Sequence, residues 1–191
     1  MEWDKKDTEA LLKFKENVDC DDVRFKERIK EILLDNRFII HVLHNKELEQ
    51  AEATPDDYFN TSILPYFALE DTIVDVKNVI CYEIAFESNH YNKNEIIKQC
   101  QIVFNVICDL DDIIDKETGI ARHDLLSALL LDQFNWTNIF GMQIKCVSDK
   151  PSMLGANLAC RTLIFKGEFA DGIAKTRDGR TRVVNSDVIT K

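Results

Sequence analysis

Apolar positions recur every three or four residues in the first part of the chain and every second residue in its middle. The first period belongs to helices and the second to strands. Thr8 is a candidate N-cap for a helix running through Lys15, with Leu11, Leu12 and Phe14 as its apolar side. Asp21 or Asp22 caps a second helix, on which Phe25, Ile29, Ile32 and Leu33 recur at helical spacing. Phe38, Ile39, Val42 and Leu43 mark a third, short segment. Thr54-Pro55-Asp56-Asp57 is a further helix start, with a capping hydroxyl, a proline at the first position and acids on the positive end of the dipole.

The period changes after the Pro-aromatic stretch Ile63-Leu64-Pro65-Tyr66-Phe67. Ile80, Tyr82, Ile84 and Phe86 alternate through 79–87, and Cys100, Ile102, Phe104, Val106, Cys108 and Leu110 through 99–110. With the polar connection Ser88–Asn94 between them, these predict a β-hairpin. An acidic loop, Asp109–Gly119, leads to a helix over 123–134 carrying Leu125, Leu126, Leu129, Leu130 and Phe134. Two more strands follow, one through Met142, Ile144 and Cys146 and one, apolar on both faces, through 158–165. The loop between them is expected to hold Pro151, Gly155 and Asn157. The expected fold is therefore α+β: a mostly antiparallel four-stranded sheet in the order β-β-α-β-β with one packed helix, preceded by helices. The expected divisions are a helical region over 1–60, a core domain over 61–170 and an extended tail over 171–191. The tail has few apolar anchors, so it is expected to order against a neighbouring subunit, with a hairpin turn at Asp178-Gly179.

Charge narrows the possible roles. The 191 residues carry 24 Lys/Arg and 34 Asp/Glu, a net of −10. That disfavours a free binder of nucleic acid or of an anionic membrane surface. The excess is uneven: residues 1–60 hold 16 acids against 10 bases, and residues 170–191 hold 5 bases against 3 acids. Ends of opposite sign favour identical subunits meeting head to tail. No apolar run reaches 18 residues and the N-terminus lacks a signal pattern, so neither a membrane helix nor a secretory leader is expected. The six cysteines form no C-x-x-C pair and read as reduced core thiols.

The candidate chemistry is thin. Asp109, Asp111, Asp112, Asp115 and Glu117 supply oxygens suited to Ca²⁺ or Mg²⁺. However, a Ca²⁺ loop starting at Asp109 needs Gly and Glu where Ile114 and Ile120 stand, so a solvated acidic loop is the preferred reading. His41 and His44 share a spacing that zinc uses but lack further ligands, and His123 reads as an end-of-helix residue. No nucleophile elbow, dinucleotide fingerprint or P-loop is present, so no catalytic residue and no cofactor is assigned. Arg161 lies mid-strand and needs an acid, either across the sheet or on a neighbouring subunit.

Three passages carry a resemblance. They are Ile63-Leu64-Pro65-Tyr66-Phe67 running on through Asp71 to Glu83; Gly119-Ile120-Ala121-Arg122-His123-Asp124-Leu125-Leu126; and Phe140–Ser148 followed by Cys160–Lys166. Across residues 60–170 the chain resembles the neck and tail-completion proteins of long-tailed bacteriophages, particularly the tail-terminator type. The resemblance implies a virion structural protein with no chemistry of its own, assembled in the host cytoplasm. It implies a ring, typically a hexamer, between the head connector and the tail tube. Its partners would be further copies of itself, the neck proteins and the tail tube protein. DNA would pass through the lumen without specific binding. A head-closure protein, a small metal-dependent enzyme and a monomeric regulator are the alternatives. On the ring reading, Asp111, Asp112 and Asp115 face the lumen or a basic patch on the adjoining ring, and Arg161, Arg177, Arg180 and Arg182 are subunit or lumen contacts.

Overall fold

The computed structural model describes residues 5–12, 21–67, 78–88, 97–170, 173–175 and 181–183. Its N-terminal part holds α1 (Lys5–Leu12), α2 (Asp21–Asp35), α3 (Arg37–Leu43) and α4 (Lys46–Gln50), then a 3-10 turn over Pro55–Tyr58. On α2, Phe25, Ile29 and Leu33 stand four residues apart and are all buried. Asn36 starts α3: its Oδ1 accepts from Phe38 N at 3.0 Å and Ile39 N at 3.3 Å. His44, in the left-handed region at φ 47°, ends it. Leu11 and Leu12 of α1 are exposed and do not reach the core, while Phe14, the third residue of the expected apolar side, lies outside the described residues. The start at Thr54 forms as expected, with Asp57 Oδ2 accepting from both Thr54 N and Thr54 Oγ1 at 2.8 Å. It yields only one 3-10 turn, because the chain reverses at Asn60 (φ 62°) into β1 (Ile63–Leu64).

β2 (Asn78–Ser88) and β3 (Ile97–Asp109) pair antiparallel, placing Ile80 opposite Val106 and Tyr82 opposite Phe104. α5 (Arg122–Phe134) follows, then β4 (Lys145–Leu154) and β5 (Leu158–Ala170). The expected four antiparallel strands need correction. The sheet has five strands in the order β1-β2-β3-β5-β4, and β1 runs parallel to β2, so the sheet is mixed. A two-residue strand is too short to show any period, which is why the sequence hides it. Met142 and Ile144 precede β4 rather than alternating within it, and Pro151 lies inside β4, not in the following turn. A proline is tolerated there because β4 is an edge strand.

One helix was expected on the sheet, yet three pack there. A single buried cluster joins Phe25, Ile29 and Leu33 of α2, Ile39 and Leu43 of α3, and Leu126, Leu130 and Phe134 of α5 to one sheet face. That face is the alternating set Ile80, Tyr82, Ile102, Phe104, Leu163 and Phe165. The cluster therefore runs across residue 60. Phe104 lies at its centre, with ring centroids 5.0 Å from Phe134 and 5.7 Å, edge-on, from Phe165. On the other face, Leu64, Val79, Cys81, Ile107 and Cys160 form a smaller buried group. β6 (Ile173–Lys175) and β7 (Thr181–Val183) pair antiparallel as a separate two-stranded ladder. The turn expected at Asp178-Gly179 lies outside the described residues.

The segment leading into β4 crosses over β5 at Gly167. A Cβ there would stand 2.9 Å from Gln143 O and 2.9 Å from Ile144 Cγ2. The first contact is backbone, which cannot rotate away. Gly167→Ala should therefore cost about 1–3 kcal/mol, the range of an overpacked core. Urea titration checks this, and an unchanged midpoint would mean the crossing segment is not held against β5.

Candidate functional site

The acidic segment after β3 closes on itself. Asp109 Oδ1 accepts from Asp111 N at 2.9 Å and starts a 3-10 turn over Leu110–Asp112. Ile114 bridges Ala121, and Arg122 N donates to Ile113 O at 2.7 Å. This brings the first residue of α5 back beneath the loop. The Arg122 side chain is buried there. Its Nε donates to Asp112 O at 2.9 Å and its Nη1 to Val42 O at 3.2 Å, and Nη1 lies 3.1 Å from Asp115 Oδ1. Asn78 of β2 completes the node, donating through Nδ2 to Leu43 O at 3.0 Å and to Asp112 Oδ2 at 3.2 Å. Val42 and Leu43 are the last residues of α3, so their carbonyls form the negative end of that helix. A guanidinium there satisfies orphan acceptors and two carboxylates together.

The solvated-loop reading holds at Asp111 and Glu117, both exposed, and is corrected at Asp112 and Asp115. Asp112 and Asp115 are only 8% and 4% exposed, and they are matched inside the chain rather than presented outward. Asp111 alone of the three expected lumen or interface acids is exposed. The Thr118 hydroxyl, 2.7 Å from Asp115 Oδ2, does most to hold the Asp115 carboxyl below its usual range. The Thr118 amide, Arg122 and His41 act in the same direction, against the opposing effect of burial.

Arg161 makes a second cluster. It stands opposite Val106 and projects on the helix side of β5. Its Nε and Nη2 hold Asp149 of β4 bidentately at 2.7 and 2.9 Å, and its Nη1 donates to Asp124 in the first turn of α5. Of the two partners expected for Arg161, the acid across the sheet is the one present. Asp149, first, and then Asp124 raise the Arg161 pKa further. The cluster ties the edge strand to α5.

A family model named YomW matches residues 26–166. The chain belongs to the YomW family. The YomW span runs from within α2 to within β5 and includes both charge clusters. A search of curated proteins finds no match.

The remaining candidates of this YomW-family chain fall apart in space or outside view. His41 Nε2 lies 3.4 Å from Glu117 Oε2, whereas His44 Nδ1 lies 3.2 Å from Glu49 Oε1, so the two histidines serve different carboxylates. His123 Nε2 lies 3.4 Å from Asp124, while His123 Nδ1 and Ser127 Oγ are buried with no hydrogen-bond partner. Among the described residues no group of three or more His, Cys, Asp and Glu could hold a metal. Cys81, Cys100, Cys108 and Cys160 are buried and Cys146 is half-buried, and burial pushes the Cys108 thiol up to about 12. Arg177 and Arg180 lie outside the described residues, and Arg182 is placed only by its backbone pairing with Ala174. Sequence reasoning singled out the acids and missed Arg122 and Asn78 as their partners. The available signal was an arginine at the first turn of a helix just after an acidic loop.

Removing Arg122 takes away the cation that two buried carboxylates share, leaving Asp112 only the exposed Lys46 Nζ at 3.9 Å. Arg122→Ala should cost about 3–5 kcal/mol, and Arg122→Lys should recover little, because one ammonium cannot reproduce the planar fork. Chemical denaturation of both variants checks this. Because the folded pKa of Asp115 is depressed, its contribution is complete above the unfolded value of about 4 and is lost as pH falls through the folded one. Asp115→Asn should therefore be less stable than the wild type at pH 7, with the two melting curves converging below about pH 4. A gap that stays constant with pH would show that the carboxylate charge is immaterial.

Proposed function

We propose that this chain is a structural subunit of a phage neck, a tail terminator whose ring caps the tail tube and joins it to the head connector. Family membership supports the phage part of the reading, the YomW name being phage-derived, and the neck role rests on the resemblance over residues 60–170. The use of charge supports it. Arg122, Asp112 and Asp115, like Arg161, Asp149 and Asp124, are spent on each other in fastening elements together. The sheet supports it too, since helices cover one face while two unlike edges stand at its ends. A ring of identical subunits needs two unlike surfaces, because each contact joins one side of a subunit to the other side of the next. In this role DNA crosses the lumen unbound, and the acidic loop presents Asp111 and Glu117, both exposed, to act on it by repulsion.

The test is the mass of the purified full chain by native mass spectrometry, with electron microscopy of the same sample. A closed ring that seats on the ends of tail tubes is the expected result. A ring that binds the connector and ignores tubes would make the chain a head-closure protein. A strict monomer at high concentration, with connector and tubes supplied, would sink both.

A further inference from the structure

The sheet order places β1 and β4 at opposite ends, four inter-strand steps apart, or roughly 19 Å. The two ends carry opposite charge. The segment 46–57 joins α3 to β1 and is tied beside β1 at both flanks, where Asn45 Nδ2 donates to Ser62 Oγ at 3.0 Å and where Phe59 bridges Ile63. That segment holds five acids, Glu47, Glu49, Glu52, Asp56 and Asp57, against Lys46, and all five are exposed. Among the described residues Glu47, Glu52 and Asp56 have no ion-pair partner. At the other end, β4 carries Lys145 and Lys150, both exposed, and its one acid, Asp149, is taken up by Arg161. The β4 end is therefore basic and the β1 end acidic.

Apolar surface accompanies the charge. Val147 of β4 and the nearby Trp136, whose ring lies 5.0 Å from Lys145 Nζ, are 52% and 56% exposed. Trp136 holds a positive φ of 61°, a conformation an aromatic residue seldom adopts. Tyr66 and Phe67, just past β1, are also exposed. Strand addition at β4 is blocked: Pro151 lacks a donor, Lys150 is charged, and the register slips between Cys146 and Ser148. Whatever docks there meets side chains rather than a backbone ladder.

We infer that the basic β4 end of one copy docks on the acidic 46–57 end of a second copy, head to tail, through side chains. This rests on the ring reading above and assigns its subunit contact. The two surfaces lie at opposite ends of one sheet, so a chain cannot satisfy both within itself, and each copy offers one surface to each of two neighbours.

The experiment uses the full chain and two charge reversals. One is Lys145→Glu with Lys150→Glu, and the other is Glu47→Lys with Glu52→Lys and Asp56→Lys, which leaves 46–57 with two acids against four lysines. All five sites are exposed, and far-ultraviolet circular dichroism confirms folding. Light scattering behind size exclusion should show each variant assembling at least ten-fold more weakly than the wild type, whose assembly should itself weaken with added salt. Mixing the two variants should restore assembly, since an acidic β4 end then meets a basic 46–57 end and the remaining wild-type surfaces still match. Misfolding cannot produce that restoration. If the wild type assembles and the reversals do not disturb it, or the mixture stays dissociated, the contact is wrong while the ring reading stands. A wild type that remains monomeric at every concentration overturns both.

Discussion

The buried guanidinium of Arg122 sets the terms for the rest of the architecture. A full positive charge in a packed interior is tolerated only where acceptors and opposite charges surround it. Here they come from three separate places: the carbonyl end of α3, the acidic loop with its 3-10 turn, and, through Asn78, the start of β2. None of these is near Arg122 in sequence except the loop. The node therefore forms only when α3 lies across the same end of the sheet from which α5 departs. Apolar packing would accept several neighbouring positions of α3, since hydrophobic attraction has no direction. The hydrogen bonds would not, and this gives the node its role in fixing a single arrangement.

The helices then cover one sheet face and leave the edges to be dealt with separately. β3 and β5 are shielded on both sides by neighbouring strands, and they carry the longest apolar alternation. β4 is different. It exposes Val147 and Met153 beside Lys145 and Lys150, it bears a proline and a register slip, and its attachment to the body depends on the Arg161 fork as well as on its ladder with β5. The fork neutralises Asp149, so the same interaction that anchors the edge strand also leaves that edge basic.

The strands and α5 were legible because a long run of alternating or helical apolar positions survives whatever the tertiary context. The expected 79–87, 99–110 and 123–134 correspond to Asn78–Ser88, Ile97–Asp109 and Arg122–Phe134. β1 was not legible, since two residues contain no period and parallel pairing is decided by where the chain returns. The packing of α2 and α3 onto the sheet was hidden for a related reason: an amphipathic stripe says that a helix must be covered, not by what. The acidic loop misled most. Five acids in nine residues look solvated, and only the fold reveals that an arginine a few residues on turns back beneath them. The partner of Arg161 was half legible, as a demand for an acid whose identity depended on a diagonal pairing across the β4–β5 ladder.

The placement of charge also separates what salt can reach. Arg122 with Asp112 and Asp115 lies out of contact with mobile ions, and buried pairs are screened far less than exposed ones. The exposed acids of 46–57 and the lysines of β4 stand in solvent, where a Debye length of about 8 Å at physiological ionic strength mutes them unless they are brought close. Screening therefore acts on the surface where subunits would meet and hardly at all on the node that holds the subunit together. A protein arranged this way can exchange its contacts as ionic conditions change while its fold stays put. That division follows from burial alone: over 46–57 five acids stand exposed against one lysine, while Arg122 meets Asp112 and Asp115 in the interior.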